Sequence, residues 1–340
     1  MKKNFPSLTR REFLQILATG AGAGGLAGLG FYRWRTFGQP AVVSRAMPLL
    51  GTLVTITVHH PEMKEAENAI KNAFEAIRHV DQVMSIHRSD SDITRVNQLA
   101  GREMVSVDAS LCEVVEVARR AHEKTEKAYD VTGLPVLRRF GFYSEENLSK
   151  KFPTDREIQK ILDCVGQQYL KVDSASHQIG FVKEGCAMDL GSVGKGYAVD
   201  RAGSALKENG IESGLVDIGG NILAIGVPLV GEGEGRGWSV AIRNPEGDAK
   251  NPYLEMLSLK NEAVATSGNY ENYRSFEGRT IGHLFDMRTG HPSNPGMSST
   301  VVASNATLAD ALSTSSFLLG PKARASLGDM AREIYFHEFL

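Results

Sequence analysis

Apolar residues recur at two periods along this chain, and the two periods divide it into helices and strands. Over 62–84 they fall at Ala66, Ala69, Ile70, Ala73, Phe74, Ile77 and Val80, the three- and four-residue spacing of an amphipathic helix. The spacing returns over 111–128, with Asp108 placed as cap, and 155–165 is another predicted helix, led by Thr154. Two more helices are predicted at 197–209, stopped by Gly210, and at 308–319. Alternating or short apolar runs predict strands at 53–59, 178–182, 213–218, 221–226, 238–243, 254–259, 263–266 and 299–303. Residues 130–141 read as turns and 187–196 as a glycine-punctuated loop. Strands and helices mix without strict β-α-β alternation, which predicts an α+β fold in one compact domain over 41–340.

Residues 1–40 stand apart from that pattern. Lys2, Lys3, Arg10 and Arg11 precede a weakly apolar, Gly/Ala-rich stretch from 13 to 32, the order of an export signal. The string Ser7-Leu8-Thr9-Arg10-Arg11-Glu12-Phe13-Leu14 resembles a twin-arginine signal, which predicts a protein exported already folded, to the periplasm or another extracytoplasmic space. Gly20, Gly22, Gly24, Gly25, Gly28 and Gly30 make a membrane-spanning helix the poorer reading. No clear small-x-small cleavage site follows, so membrane contact is expected only through a signal left uncleaved.

Charge and cysteine usage narrow the classes further. With 38 basic and 40 acidic residues the net charge is -2, so nucleic acid is not an expected partner. Cys112, Cys164 and Cys186 have no zinc-site spacing and read as small apolar residues; one disulfide stays open after export.

Four strings carry possible chemistry. In Asp189-Leu190-Gly191-Ser192-Val193-Gly194-Lys195-Gly196, three glycines between a strand and a helix suit either phosphate binding or a tight turn. Asp310 and Thr314 lie four apart on one helix face, as hard oxygen donors suited to Mg²⁺, but on this string alone Thr307 with Asp310 reads first as a capping box. His283-Leu284-Phe285-Asp286 offers a histidine able to act as base near neutral pH, or simply a polar turn. Asp130 to Pro135 reads as a turn, and Phe140-Gly141-Phe142 as core or as walls for a flat ring.

The order of these strings says more than any one of them. Gly51-Thr52, Ser91 with Asn97, Asp130-x-Thr132-x-x-Pro135, the 189–200 string ending at Asp200, Val216-Asp217-x-Gly219-Gly220-Asn221, Ala265-Thr266-Ser267-Gly268, His283-x-x-Asp286-x-x-Thr289-Gly290 and Ala309-Asp310-Ala311-Leu312-x-Thr314 follow one another. From about Val42 to the C-terminus the chain resembles the ApbE family, the FAD:protein FMN transferases. The resemblance implies a Mg²⁺ site at the Ser192 backbone carbonyl, Asp310 and Thr314, with Ser313 as helper. It implies flavin contacts at Leu50, His87, Phe140, Gly141, Phe142, Asp189, Lys195 and His283. His283 is then the expected base, oriented by Asp286. FAD is the expected substrate, and the expected partner is an acceptor protein with an FMN-binding-type domain that offers a Thr or Ser hydroxyl. Two rival readings are a Mg²⁺-dependent FAD hydrolase and a non-enzymatic FAD-binding accessory protein of an exported respiratory enzyme of the nitrous-oxide reductase type.

Overall fold

In the computed structural model, which describes residues 40–143, 151–231, 234–269, 272–276, 278–293 and 297–338, the chain opens on a hairpin. Its strands are β1 (Ala41–Leu49) and β2 (Thr52–His60). Leu49 pairs with Thr52, so Leu50 and Gly51 alone turn the chain. Both have positive φ, 53° and 71°, as a two-residue turn that matches strand twist requires. The predicted export signal lies outside the described residues, Pro40 excepted.

Four helices and a short strand follow the hairpin: α1 (Met63–Met84), α2 (Asp92–Gln98), β3 (Val105–Ser106), α3 (Ala109–Lys124) and α4 (Leu134–Arg139). Next come α5 (Asp155–Leu162), β4 (Leu170–Asp173), β5 (Gln178–Phe181) and α6 (Gly194–Glu208), then β6 (Gly214–Ile218), β7 (Asn221–Ile225), β8 (Trp238–Arg243), β9 (Tyr253–Leu259) and β10 (Ala263–Gly268). The last part holds β11 (Tyr273–Phe276), β12 (Arg279–Gly282), β13 (Phe285–Asp286), β14 (His291–Pro292), β15 (Met297–Ala303), α7 (Ala306–Leu319), α8 (Ala323–Leu327) and β16 (Glu333–Glu338).

Seven strands make the main sheet, in the order β1-β2-β6-β7-β10-β15-β16, with every neighbouring pair antiparallel. Side chains alternate between its faces. One face buries Val54, Ile56, Val58, Val216, Ile218, Leu223 and Ile225 beneath α1, α6 and α7. The other carries Leu215, Ile222, Ala224, Val264 and Val302, and the β8–β9 hairpin covers it with Trp238, Val240, Ile242, Leu257 and Leu259. All seven predicted apolar positions of α1 are buried, each larger one contributing about 1.5–3 kcal/mol over exposure. A separate aromatic cluster joins α4, α5 and the β11–β12 hairpin through Phe140, Phe142, Phe276 and Phe285.

The α+β reading holds, with local differences that have physical reasons. The predicted turn region 130–141 contains α4, whose Pro135 sits in the first turn, where its missing N–H costs nothing. At six residues the helix is too short for periodicity to reveal. Strand β1 is not among the predicted strands, because Ser44, Arg45 and Pro48 interrupt its apolar run. Helix α6 begins at Gly194, not 197, which puts Lys195 and Gly196 in its first turn. Helix α7 is capped by Asn305, whose side chain accepts from Leu308 N–H at 2.9 Å. The capping-box reading of Thr307 and Asp310 is therefore overturned: both lie inside the helix and bond elsewhere. All three cysteines are free thiols. Among the described residues no helix is long and apolar enough to cross a membrane.

Candidate functional site

The glycine turn is held from behind by distant segments. Asn97 clamps the Met188 backbone on both sides, donating to its carbonyl at 2.9 Å and accepting from its N–H at 2.8 Å. Asp189 N–H donates to Val131 O at 2.8 Å. These bonds aim the Asp189 side chain into a cleft, where the Tyr143 hydroxyl donates to its carboxylate at 2.7 Å. Burial pushes the Asp189 carboxyl above its usual range, opposed by hydrogen bonds from Tyr143 and Gly191 N–H and by the charges of His87 and Lys195.

Helix α6 starts without a side-chain cap. Its Gly196 N–H instead donates to Asp310 Oδ2 on α7 at 2.9 Å. Gly196 is needed for close approach rather than for unusual φ. A Cβ there would stand 2.2 Å from Ala306 O and 2.7 Å from Asp310 Cβ. Asp200, one turn further along α6, caps α7 in return: it accepts from Ala306 N–H and Thr307 N–H, each at 2.8 Å, and from the Thr307 hydroxyl at 2.5 Å. The two helices are thus locked at their N-terminal ends.

Around that crossing sit most of the expected residues. Lys195 Nζ donates to Gly191 O at 3.1 Å and lies 3.8 Å from Asp310 Oδ1. Asp310 is 3% exposed, and Ser313 and Thr314 are buried beside it. Ser267, on β10, has its hydroxyl 2.8 Å from Ser313 Oγ and 2.9 Å from Thr314 Oγ1, and Ser313 also donates to Asp310 O. The Ser192 hydroxyl donates to the Tyr129 hydroxyl at 3.0 Å. Burial, with Asp310 among the nearby carboxylates, raises the Tyr129 phenol well above its ordinary range, against the lowering effect of the Ser192 bond.

A cleft of about 740 Å³ opens beside this cluster, a volume suited to a cofactor-sized ligand. Leu50, His87, Tyr143, Asp189, Gly191 and Lys195 line it. The His87 and Tyr143 rings lie 5.7 Å apart. His283 is placed near Lys195, whose charge, after burial, lowers its imidazole pKa, while the Asn272 carbonyl, 3.3 Å from Nδ1, raises it. Phe142 packs 6.4 Å from the His283 ring, and the Gly141 carbonyl accepts from Arg274 Nε at 3.1 Å. A second concavity of about 520 Å³ is lined by His79, Arg88, Asp92, Arg95 and Asp108, and its charges are already paired among themselves.

Of the expected flavin contacts, Gly141, Phe142 and His283 are not among the residues that line the larger cleft, and Phe140 and Asp286 have other partners. Phe140 is 1% exposed and packs against Phe152, Phe276 and Phe285, so its ring supports the wall from inside the aromatic cluster. Asp286 gives both oxygens to Arg288, at 2.6–3.1 Å, because Arg288 lies two residues on in the same turn. It does not orient His283, whose Nδ1 faces the Asn272 carbonyl. Tyr129, Tyr143, Asp200 and Ser267 join the site without a role having been assigned from sequence. Asp200 and Ser267 stood within recognised strings, whereas nothing local marks the two tyrosines.

The donors fit a hard cation. Asp310, Thr314, Ser313 and the Ser192 carbonyl are all oxygens, and Lys195 already sets one positive charge beside the buried Asp310. Among the described residues no group of three or more His, Cys, Asp or Glu gathers, so hydroxyls and carbonyls would complete the coordination.

Residues 50–335 match the model of the ApbE family. The FAD:protein FMN transferase of Escherichia coli (strain K12) is 32% identical over 245 residues, covering 71% of this chain and 68% of that protein. The FAD:protein FMN transferase of Treponema pallidum (strain Nichols) is 30% identical over 299 residues, covering 84% and 80%. Among solved structures, the apo form of the Pseudomonas stutzeri flavinyl transferase ApbE superposes with a TM-score of 0.76 at 26% identity, covering 90% of this chain and 94% of that one. The ApbE protein of Thermotoga maritima gives 0.76 at 28% identity, covering 88% and 97%.

Proposed function

The chain belongs to the ApbE family, and on that premise we infer that it is an FAD:protein FMN transferase that divides FAD at its diphosphate and passes FMN to a protein hydroxyl. The observation that carries this reading is the convergence of the glycine turn and α7: Gly196 N–H on Asp310 Oδ2, with Lys195 between the two carboxylates Asp189 and Asp310.

FAD brings two negative phosphates to a site that must neutralise them. Lys195 supplies one mobile cation at the cleft floor. Asp310, Thr314, Ser313 and the Ser192 carbonyl would hold Mg²⁺, which when bound withdraws charge from the diphosphate and steadies the charge that develops on transfer. The cleft between Leu50 and His87 would seat the flat part of the substrate, with Phe142 beside it and Phe140 behind. A Thr or Ser hydroxyl of the acceptor attacks the FMN phosphorus and AMP leaves with the bonding pair. That hydroxyl is a weak nucleophile until its proton is removed. His283, whose burial and neighbouring Lys195 charge both favour the neutral imidazole, would take it. Asp286 has no part in this step. Export by the twin-arginine pathway, and hence an extracytoplasmic acceptor, completes the proposal.

Purified protein incubated with FAD, Mg²⁺ and an acceptor domain should release AMP and raise the acceptor's mass by one FMN. Free FMN without acceptor modification would instead identify a hydrolase, and intact FAD a carrier. His283→Ala retaining the wild-type rate while Asp310→Ala loses it would move the base to another residue.

A further inference from the structure

The Ser192 side chain bonds the Tyr129 hydroxyl at 3.0 Å, and the transferase reading leaves this pair without a task. Tyr129 is 2% exposed and belongs to the main core, four residues beyond the end of the α3 cap at Thr125. Its backbone is fixed as well: its N–H donates to the Thr125 hydroxyl at 3.1 Å, and its carbonyl faces His122 Nδ1 at 2.9 Å. The phenol is therefore a rigid post. Ser192 stands at the opposite extreme, in the middle of a loop with Gly191 on one side and Gly194 two residues on. Its hydroxyl has no other hydrogen-bond partner among the described residues.

The turn that carries Ser192 is closed on itself, with Val193 N–H and Gly194 N–H both donating to Leu190 O at 3.0 and 2.7 Å. The Tyr129 bond then sets where this closed turn sits against the core, and with it the place of the Ser192 carbonyl, which is the group the transferase reading gives to the cation. Tyr129 also lies close enough to Asp310 for that carboxylate to act on its phenol, so post and cation site are neighbours.

We propose that Tyr129 is a positioning residue for the cation site: its hydroxyl accepts the Ser192 O–H and so holds the glycine loop with the Ser192 carbonyl turned toward Asp310 and Thr314. The proposal rests on the transferase reading with its divalent ion. Tyr129 touches neither substrate nor metal and acts through Ser192. Losing one neutral hydrogen bond of this kind is expected to weaken cation binding by about three- to tenfold, the equivalent of about 0.7–1.4 kcal/mol.

The test uses Mn²⁺ as probe, measured by electron paramagnetic resonance on the full protein without FAD. Tyr129→Phe and Ser192→Ala should each weaken Mn²⁺ binding by that factor, and the double variant should be no weaker than either single one, since both remove the same bond. A purely structural tyrosine would lower the melting temperature without this coupling. Binding by Tyr129→Phe within twofold of wild type, or full multiplication of the two effects in the double variant, overturns the proposal. Should Tyr129→Phe fail to fold, Ser192→Ala alone decides it, since that variant keeps the carbonyl and loses only the tie. Asp310→Ala separates the two levels: if the wild-type protein binds Mn²⁺ no better than Asp310→Ala, the cation reading itself falls and the positioning role with it.

Discussion

Gly196 N–H and Asp310 Oδ2 meet at 2.9 Å across two helices whose residues are 114 positions apart in the chain. The bond serves α6, whose first turn has no cap from its own N-cap residue, and it fixes the carboxylate that the proposed cation site would use. Gly196→Ala should therefore fail twice. Its Cβ would collide with Ala306 O, at an expected cost of about 1–3 kcal/mol in urea unfolding, and Mn²⁺ affinity should fall with it. Asp310→Asn separates the roles. A carboxamide oxygen still accepts from Gly196, so stability should stay within about 1 kcal/mol of wild type, while AMP release falls by about 100-fold or more. Equal losses of stability in the two variants would refute this division.

Asp200 is expected to matter through geometry rather than chemistry. It caps α7 from outside that helix with three hydrogen bonds. Asp200→Ala should cost about 1–2 kcal/mol, read as a lower denaturation midpoint at unchanged m-value. Transfer activity should drop because the start of α7, and Asp310 with it, loses its register.

Leu50 adopts a φ of 53° at the lip of the cleft, where Asn would be the unstrained choice in a two-residue hairpin turn. Leu50→Asn should raise stability by roughly 0.5–1 kcal/mol and weaken FAD binding, as fluorescence titration can show. Unchanged FAD affinity would detach Leu50 from substrate binding.

The pH dependence follows from His283. Burial first, and then the charge of Lys195, lower its pKa from the ordinary 6.5, with the Asn272 carbonyl pulling the other way. The base form thus persists to lower pH, and the acid limb of kcat/KM should have its midpoint below 6.5. The stability sign agrees: a histidine held neutral in the fold takes its proton first in the unfolded chain, so its contribution is complete above 6.5 and is lost as pH falls through the folded value. An NMR titration of the His283 ring should show the low midpoint, and Lys195→Met should move it upward. A midpoint at or above 6.5 in wild type would assign the acid limb to another group.

Much of this architecture was legible because its determinants are local. The apolar stripe from Ala66 to Val80, the Asp108 and Thr154 caps and the alternation of the sheet strands each depend on residues within a few positions of one another. The misreadings have the same root. Thr307 and Asp310 have the spacing of a capping box, but their partners, Asp200 and Gly196, lie more than a hundred residues earlier. Asp286 and His283 share a short loop, yet Arg288 is nearer to that carboxylate and carries full charge.

By itself the sequence determined the periodicities, the two-residue turn at Gly219-Gly220 and an ordered set of strings whose resemblance named the family. Only the tertiary structure decided which strings touch: that Asp310 answers Gly196, that Phe140 turns inward, and that Tyr129 stands behind Ser192. The reason is physical. Helix and strand tendencies arise from neighbours along the chain, whereas a buried carboxylate or hydroxyl takes whichever partner the packed sheet and helices bring within about 3 Å, and that distance carries no trace of sequence separation.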